Sequence, residues 1–193
     1  MRPMLTSKEL GRALFYGEGK KRNYRKAFPL LLRAAREGHV HWQYLVGYAF
    51  AEGLGISRNL KAARSWYTRA GKRGHPGALF NLALMYEQGE GVKRNLKKAF
   101  TLYRKGAREG DAKSQCNLGI AYLEGLGTRK NLALGIRWIK RAAQNNDAKA
   151  QYDLAHAYLT GEGVRADQSL ARYWLKRAAK NGNKKAAAAA KRF

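Results

Sequence analysis

Apolar residues recur at intervals of three and four along most of the chain, as they do on one face of an α-helix. Residues 75–110 contain two such segments in succession. The first predicts a helix over residues 75–88, and the second predicts a helix between Asn95 and Gly110. Asparagine is a common N-cap residue and glycine a common residue just after a helix. The pattern therefore predicts a helical hairpin.

The same hairpin recurs every 36 residues along the chain. Paired glycines follow each predicted first helix, at Gly17 and Gly19, Gly53 and Gly55, Gly89 and Gly91, Gly125 and Gly127, and Gly161 and Gly163. An Asn or Asp precedes each predicted second helix, at Asn23, Asn59, Asn95, Asn131 and Asp167. The repeat predicts one array over residues 1–193, with units at about 3–38, 39–74, 75–110, 111–146 and 147–182 and a cap at 183–193.

One hairpin alone cannot bury its apolar faces, so neighbouring hairpins are expected to stack. The predicted fold class is all-α, a right-handed α-solenoid of five 36-residue hairpins with a C-terminal capping helix. First helices are expected on the concave side and second helices on the convex side. Bulky side chains are expected to fill the space between helices, at Trp66, Tyr103, Trp138 and Trp174.

The third unit has a specific residue pattern. It consists of Leu82, Ala83, Met85, Tyr86, Gly89, Gly91 and Val92, followed by Asn95, Ala99, Tyr103 and Gly110. This pattern resembles the Sel-1-like repeat, a relative of the tetratricopeptide repeat, and the resemblance covers nearly the whole chain. Residues 3–38 depart from it, with Lys20 at the usual valine and Pro29 inside the second helix. The resemblance implies a scaffold for protein–protein contacts, often in bacterial signalling and surveillance, without identifying a partner.

Charge follows the same repeat. The chain has 39 Lys and Arg against 13 Asp and Glu, a formal net charge of +26. Basic residues recur at equivalent positions of the units, at Arg33, Arg69, Lys105, Arg141 and Arg177, at Arg58, Arg94 and Lys130, and at Lys72 and Arg108. Their spacing along the second helix and its lead-in predicts a basic convex face.

Such a face is suited to an anionic partner, although a charged surface also simply keeps a protein in solution. An acidic protein is the expected partner. Nucleic acid is the alternative, since Lys and Arg bind phosphates independently of sequence. The sequence contains no zinc-finger spacing and no aromatic-rich ribonucleoprotein motif, so only the charge indicates nucleic acid.

The first helices predict a second surface. Residues that face inward in tetratricopeptide arrays correspond here to aromatic side chains, amides and one carboxylate, at Tyr44, Tyr48, Phe80, Asn81, Asn117, Tyr152, Asp153 and His156. Such a groove suits a partner helix or an extended peptide. The other interpretation is that the aromatic rings pack between adjacent first helices.

Enzymatic chemistry is not expected. The Gly-x-Gly pairs follow helices instead of strands and lack the third glycine of a dinucleotide fingerprint. Cys116 is the only cysteine and is expected to be a buried structural thiol, and no metal, cofactor or small-molecule substrate is predicted. No segment has the apolar length of a membrane helix or a signal-peptide core, so we expect a soluble, cytoplasmic protein.

Overall fold

A computed structural model describes residues 6–190, and these residues form eleven α-helices and no strand. The first helices of the five hairpins are α1 (Ser7–Tyr16), α3 (Val40–Glu52), α5 (Pro76–Gln88), α7 (Ala112–Glu124) and α9 (Ala148–Thr160). The second helices are α2 (Tyr24–Arg36), α4 (Leu60–Lys72), α6 (Leu96–Arg108), α8 (Leu132–Gln144) and α10 (Gln168–Lys180). The short helix α11 (Lys184–Ala190) follows. The predicted all-α fold class of helical hairpins is confirmed.

The helices begin and end where the capping residues predict. In α6 the Asn95 side chain accepts a hydrogen bond from the Lys98 N–H at 2.9 Å, which satisfies one of the open donors of the first turn. Helix α5 ends at Gly89, whose φ of 77° is the left-handed conformation and whose N–H donates to the Met85 carbonyl at 2.9 Å. Each of the other second helices is also capped by a side chain, from Asn23, Asn59, Asn131 and Asp167.

The chain divides into two compact units between Arg94 and Asn95. In the first unit, α2 packs against α1 and α3, and α4 packs against α3 and α5. In the second unit, α8 packs against α7 and α9, and α10 packs against α9 and α11. The first helices α3 and α5 also approach each other directly. Whether residues 1–193 form a single array stays a prediction, and its ends at residues 1–5 and 191–193 lie outside the described residues.

Two of the four bulky residues expected to fill the space between helices are not fully buried. In both cases the next residue along the chain is buried instead. Tyr67, Tyr103, Ile139 and Leu175 are at most 2 % exposed and occupy equivalent positions of the second helices. Trp66 and Trp138, which precede Tyr67 and Ile139, are only half-buried. Tyr67 and Ile139 lie against glycines of the first helix: an added Cβ would be 2.7 Å from Tyr67 at Gly47, and 2.7 Å from Ile139 at Gly119. Glycine therefore lets the two helices of a hairpin approach closely.

Neighbouring hairpins also touch through their turns. The second glycine of a Gly-x-Gly pair lies on the first turn of the preceding second helix. At Gly55 an added Cβ would be 2.2 Å from the Tyr24 carbonyl oxygen, and at Gly127 it would be 2.2 Å from that of Leu96. Because no Cβ fits there, these two positions require glycine.

Helix α11 caps the last hairpin within the described residues. The Asn183 side chain accepts from the Ala186 N–H at 2.9 Å and donates to the Ala148 carbonyl at 3.1 Å. Ala186 is fully buried against this end of the second unit. Among the described helices, none combines the length and the hydropathy that crossing a membrane requires.

Candidate interaction surfaces

Charge is divided unequally between first and second helices. Each second helix carries three to five Lys or Arg, and none of the five carries an Asp or Glu. By contrast, α3 and α5 contain one acidic residue each and no Lys or Arg, and α7 and α9 contain one residue of each sign. A surface formed by second helices is therefore cationic with no acidic residue of its own.

Three arginines of the second helices lie over the ring of a tryptophan three residues earlier. The Arg69 Cζ is 4.7 Å from the centroid of the Trp66 ring. The corresponding distances are 5.6 Å for Arg141 over Trp138 and 5.5 Å for Arg177 over Trp174. The stack holds a guanidinium group in place while its in-plane N–H donors still point away from the ring.

The stacked arginines differ in what else they contact. Arg177 donates to the Tyr173 hydroxyl at 3.1 Å and to the Asn146 side chain at 2.8 Å. In the described part of the chain, Arg69 and Arg141 have no hydrogen bond or ion pair, and both are exposed. Two guanidinium groups are thus held in position with their donors open to solvent.

Other predicted basic residues stabilise the hairpins. The Arg58 Nε donates to the Ala51 carbonyl at 2.9 Å, and the Arg94 Nε donates to the Glu87 carbonyl at 2.9 Å. Both bonds satisfy carbonyl groups in the last turn of a first helix. Arg58 also forms an ion pair with Glu90. These side chains therefore reach back to the first helix of their own hairpin.

The remaining predicted basic residues lie at the surface. Arg33 forms an exposed ion pair with Glu37 at 3.4 Å. The others are exposed, at Lys72, Lys105, Arg108 and Lys130. Exposed pairs such as Arg33–Glu37 contribute little to stability, so this set matters mainly for the charge of the surface.

In the first unit, the predicted groove residues are half-buried. The Tyr44 ring stacks on His75 and lies 6.4 Å from the Tyr48 ring. The Asn81 amide donates to the Tyr67 hydroxyl at 3.1 Å, a contact between α5 of one hairpin and α4 of the hairpin before it. Phe80 is half-buried as well. Tyr44 and Asn81 therefore have contacts within the fold, and both interpretations of the groove stay predictions.

In the second unit, three predicted groove residues line one hollow. Tyr152, Asp153 and His156 surround a space of about 310 Å³ together with residues of α7. Asn117 is half-buried and does not line it. Burial raises the pKa of the Asp153 carboxyl group, although Lys149 at 3.8 Å opposes this effect. These three residues therefore lie together at one surface hollow, and their role in binding a partner stays a prediction.

Cys116 lies in α7 and is buried, and its Sγ is 3.9 Å from the Lys149 Nζ. Burial raises the pKa of the thiol to about 12. The thiol is therefore protonated at neutral pH and is a weak nucleophile. Within residues 6–190, no three His, Cys, Asp or Glu side chains are grouped closely enough to hold a metal ion.

A set of buried glutamines was not predicted. Gln115 and Gln151 each donate to a carbonyl of the preceding second helix, at 3.1 and 3.0 Å. Their carbonyl oxygens accept from Asn145 and Asn181, both at 2.9 Å. The sequence contains a signal for this set, since Gln recurs at one position of the first helices, at Gln43, Gln115 and Gln151, and Asn stands thirty residues after the last two.

The Sel1 repeat family model matches residues 9–39, 43–75, 76–111, 112–147 and 148–183. A Sel1 repeat protein from Oxalobacter formigenes is 31 % identical with a TM-score of 0.86, over 93 % of this chain and 72 % of that one. The protective antigen c5321 of uropathogenic Escherichia coli is 29 % identical with a TM-score of 0.84, over 93 % of this chain and 38 % of that one. Immunity protein Pa5087 from Pseudomonas aeruginosa shares the fold at 18 % identity, with a TM-score of 0.62 over 96 % of this chain and 70 % of that one. A sequence search of curated proteins gave no match.

Proposed function

Because the chain belongs to the Sel1 repeat family, whose fold commonly serves as a scaffold for protein–protein contacts, we propose that it is a non-enzymatic adaptor or inhibitor with an acidic protein partner. The partner binds the second helices. The observation that carries this proposal is the absence of any acidic residue from all five second helices, each of which has three to five basic residues.

The distribution of the acidic residues supports the same surface. Several of them have structural contacts away from the second helices: Asp111 and Asp147 cap first helices, and Glu18 pairs with Arg12 of α1. Two others, Asp167 and Glu37, lie only at the ends of α10 and α2. An anionic partner therefore meets a strongly positive field along the second helices, which speeds its association and selects against basic proteins.

Nucleic acid is the second candidate, because phosphates are attracted by the same field. The two candidates differ in how binding responds to salt and nuclease. Duplex binding releases several counterions and weakens steeply as salt rises. Binding to an acidic protein survives nuclease treatment, and rim charges mainly change its association rate.

The test compares two triple variants in pull-downs from the native cell, with and without nuclease. One replaces Arg69, Lys105 and Arg141 by Glu on the second helices. The other replaces Tyr44, Phe80 and Tyr152 by Ala on the first helices. The proposal expects a nuclease-resistant protein to be lost with the Glu variant and retained with the Ala variant.

Circular dichroism of both variants controls for folding, since Tyr44 has packing contacts. If the partner is lost only with the Ala variant, the binding surface lies on the first helices and the proposal is wrong. Tight duplex binding at physiological salt, with no protein retained after nuclease, would show that the partner is nucleic acid and not an acidic protein.

A further inference from the structure

The basic surface contains two distinct kinds of arginine. Most of its cations are long, exposed side chains, whereas the guanidinium groups of Arg69 and Arg141 lie over the rings of Trp66 and Trp138. A guanidinium group that is already ordered loses less side-chain entropy when it binds an oxyanion. Its planar fork also matches the two oxygens of a carboxylate.

We propose that Arg69 on Trp66 and Arg141 on Trp138 are each the anchor point for an acidic protein on the second helices of their own unit, and that each binds one Asp or Glu carboxylate through a bidentate pair. This inference rests on the proposed function, since it names the contact residues of the same surface. The inference adds that most of the binding affinity comes from these two stacked guanidinium groups and not from the net charge of the surface.

At the position equivalent to Arg69 and Arg141, none of the other three hairpins has an arginine that is stacked on tryptophan and otherwise without a hydrogen bond or ion pair. Arg33 follows Leu30 instead of Trp and pairs with Glu37. Lys105 follows Leu102 and has no planar fork. Arg177 is stacked, but it already donates to Tyr173 and Asn146.

Each compact unit therefore contains one arginine that is stacked on tryptophan and has no hydrogen bond or ion pair within the described residues, Arg69 in the first and Arg141 in the second. Arg104 also lies over a ring, that of Phe100 at 5.7 Å, but tryptophan binds a cation more strongly than phenylalanine does. A planar fork binds carboxylate and phosphate alike, so the experiment compares the two.

The experiment keeps the net charge constant. The double variant R69K/R141K retains +26 but loses both planar forks, and R129K/R165K makes the same exchange at two exposed arginines that lie outside the second helices and have no stack. Poly-L-glutamate is the probe, and a DNA duplex is measured in parallel. We expect R69K/R141K to weaken poly-L-glutamate binding roughly tenfold and R129K/R165K to leave it unchanged.

A second variant removes the stack and keeps the arginines. Trp66→Leu with Trp138→Leu places leucine where α2 and α6 have Leu30 and Leu102, so the fold accepts it. We expect a similar loss of affinity, because the guanidinium groups are no longer ordered. In the parent protein, bound poly-L-glutamate should also change tryptophan emission, and it should not do so in this variant.

The outcomes separate this inference from the proposed function. Equal affinities for the parent, R69K/R141K and the leucine variant would overturn the anchor assignment. If the Glu triple variant still loses the probe in that case, the proposed function stands without it. A loss in R69K/R141K that affects the duplex but not poly-L-glutamate would overturn the carboxylate partner.

Discussion

The imidazole ring of His75 lies nearly parallel to the phenol ring of Tyr44, with centroids 4.5 Å apart and an angle of 16° between the planes. His75 is also the N-cap of α5, where its Nδ1 accepts from the Ala78 N–H at 3.3 Å. Its Nε2 therefore carries the proton and faces the Nδ1 of His41 at 3.3 Å. Two neutral histidines thus link α3 to the start of α5.

This link predicts a loss of stability in mild acid. Burial, together with the charge of Arg12, lowers the pKa of His41 below 6.5. The unfolded chain therefore takes up this proton more readily, and the free energy of unfolding decreases as pH falls below about 6.5 and is constant above it. Urea unfolding at several pH values measures this. His41→Gln should flatten the profile, and an unchanged profile would contradict the assignment to His41.

Replacing Gly127 by Ala should destabilise the protein by about 3 kcal/mol, because the new Cβ meets the Leu96 carbonyl at a φ of 70°. Gly110→Asn is the matched control. Gly110 also has positive φ but open space around it among the described residues, and Asn146 occupies the equivalent position with φ 62°. Thermal melts of the two variants compare the effects, and equal melting temperatures would rule out the steric account.

The buried glutamines predict unequal effects of one substitution. Gln151→Leu leaves the Ala143 carbonyl and the Asn181 amide without their partner and should cost about 2 kcal/mol. Gln43→Leu should cost less, since the Gln43 Oε1 is buried without a partner in the described residues. Denaturant unfolding of both variants tests this, and an equal or larger loss for Gln43→Leu would contradict it.

Cys116 should react slowly with thiol reagents in the folded protein. It is 2 % exposed, and burial raises its pKa to about 12, so both access and thiolate formation oppose attack. The measurement is labelling with an aromatic disulfide at neutral pH, with the urea-unfolded chain as control. Labelling at the unfolded rate would show that the thiol is accessible.

The helix boundaries could be predicted because their causes are local. An Asn N-cap bonds a backbone group three residues away, and glycine permits the left-handed φ at its own position, so Asn95 and Gly89 carry their own signal. The Tyr67 position could not be predicted in this way. Tyr67 and Trp66 are both bulky and adjacent, and only the close approach of Gly47 selects which one is buried.

The sequence predicts which residues make the surface basic, but it does not predict which group each basic side chain contacts. Basic residues at repeat spacing indicate a charged face, but a long side chain reaches more than one acceptor. Arg94 bonds the Glu87 carbonyl, whereas Arg141 lies over Trp138. Both outcomes depend on the three-dimensional position of a carbonyl group or ring, which the hydrophobic periodicity does not specify.

The turn at Gly127, which lies on the first turn of α6, limits how the length of this chain can change. One residue inserted between Leu96 and Gly127 would carry the glycine away from the carbonyl it faces and bring a residue with a Cβ into its place. Insertion of a complete 36-residue segment would preserve every such pairing. A complete repeat can therefore be added without losing these contacts, whereas an insertion or deletion of a few residues between Leu96 and Gly127 should destabilise the fold.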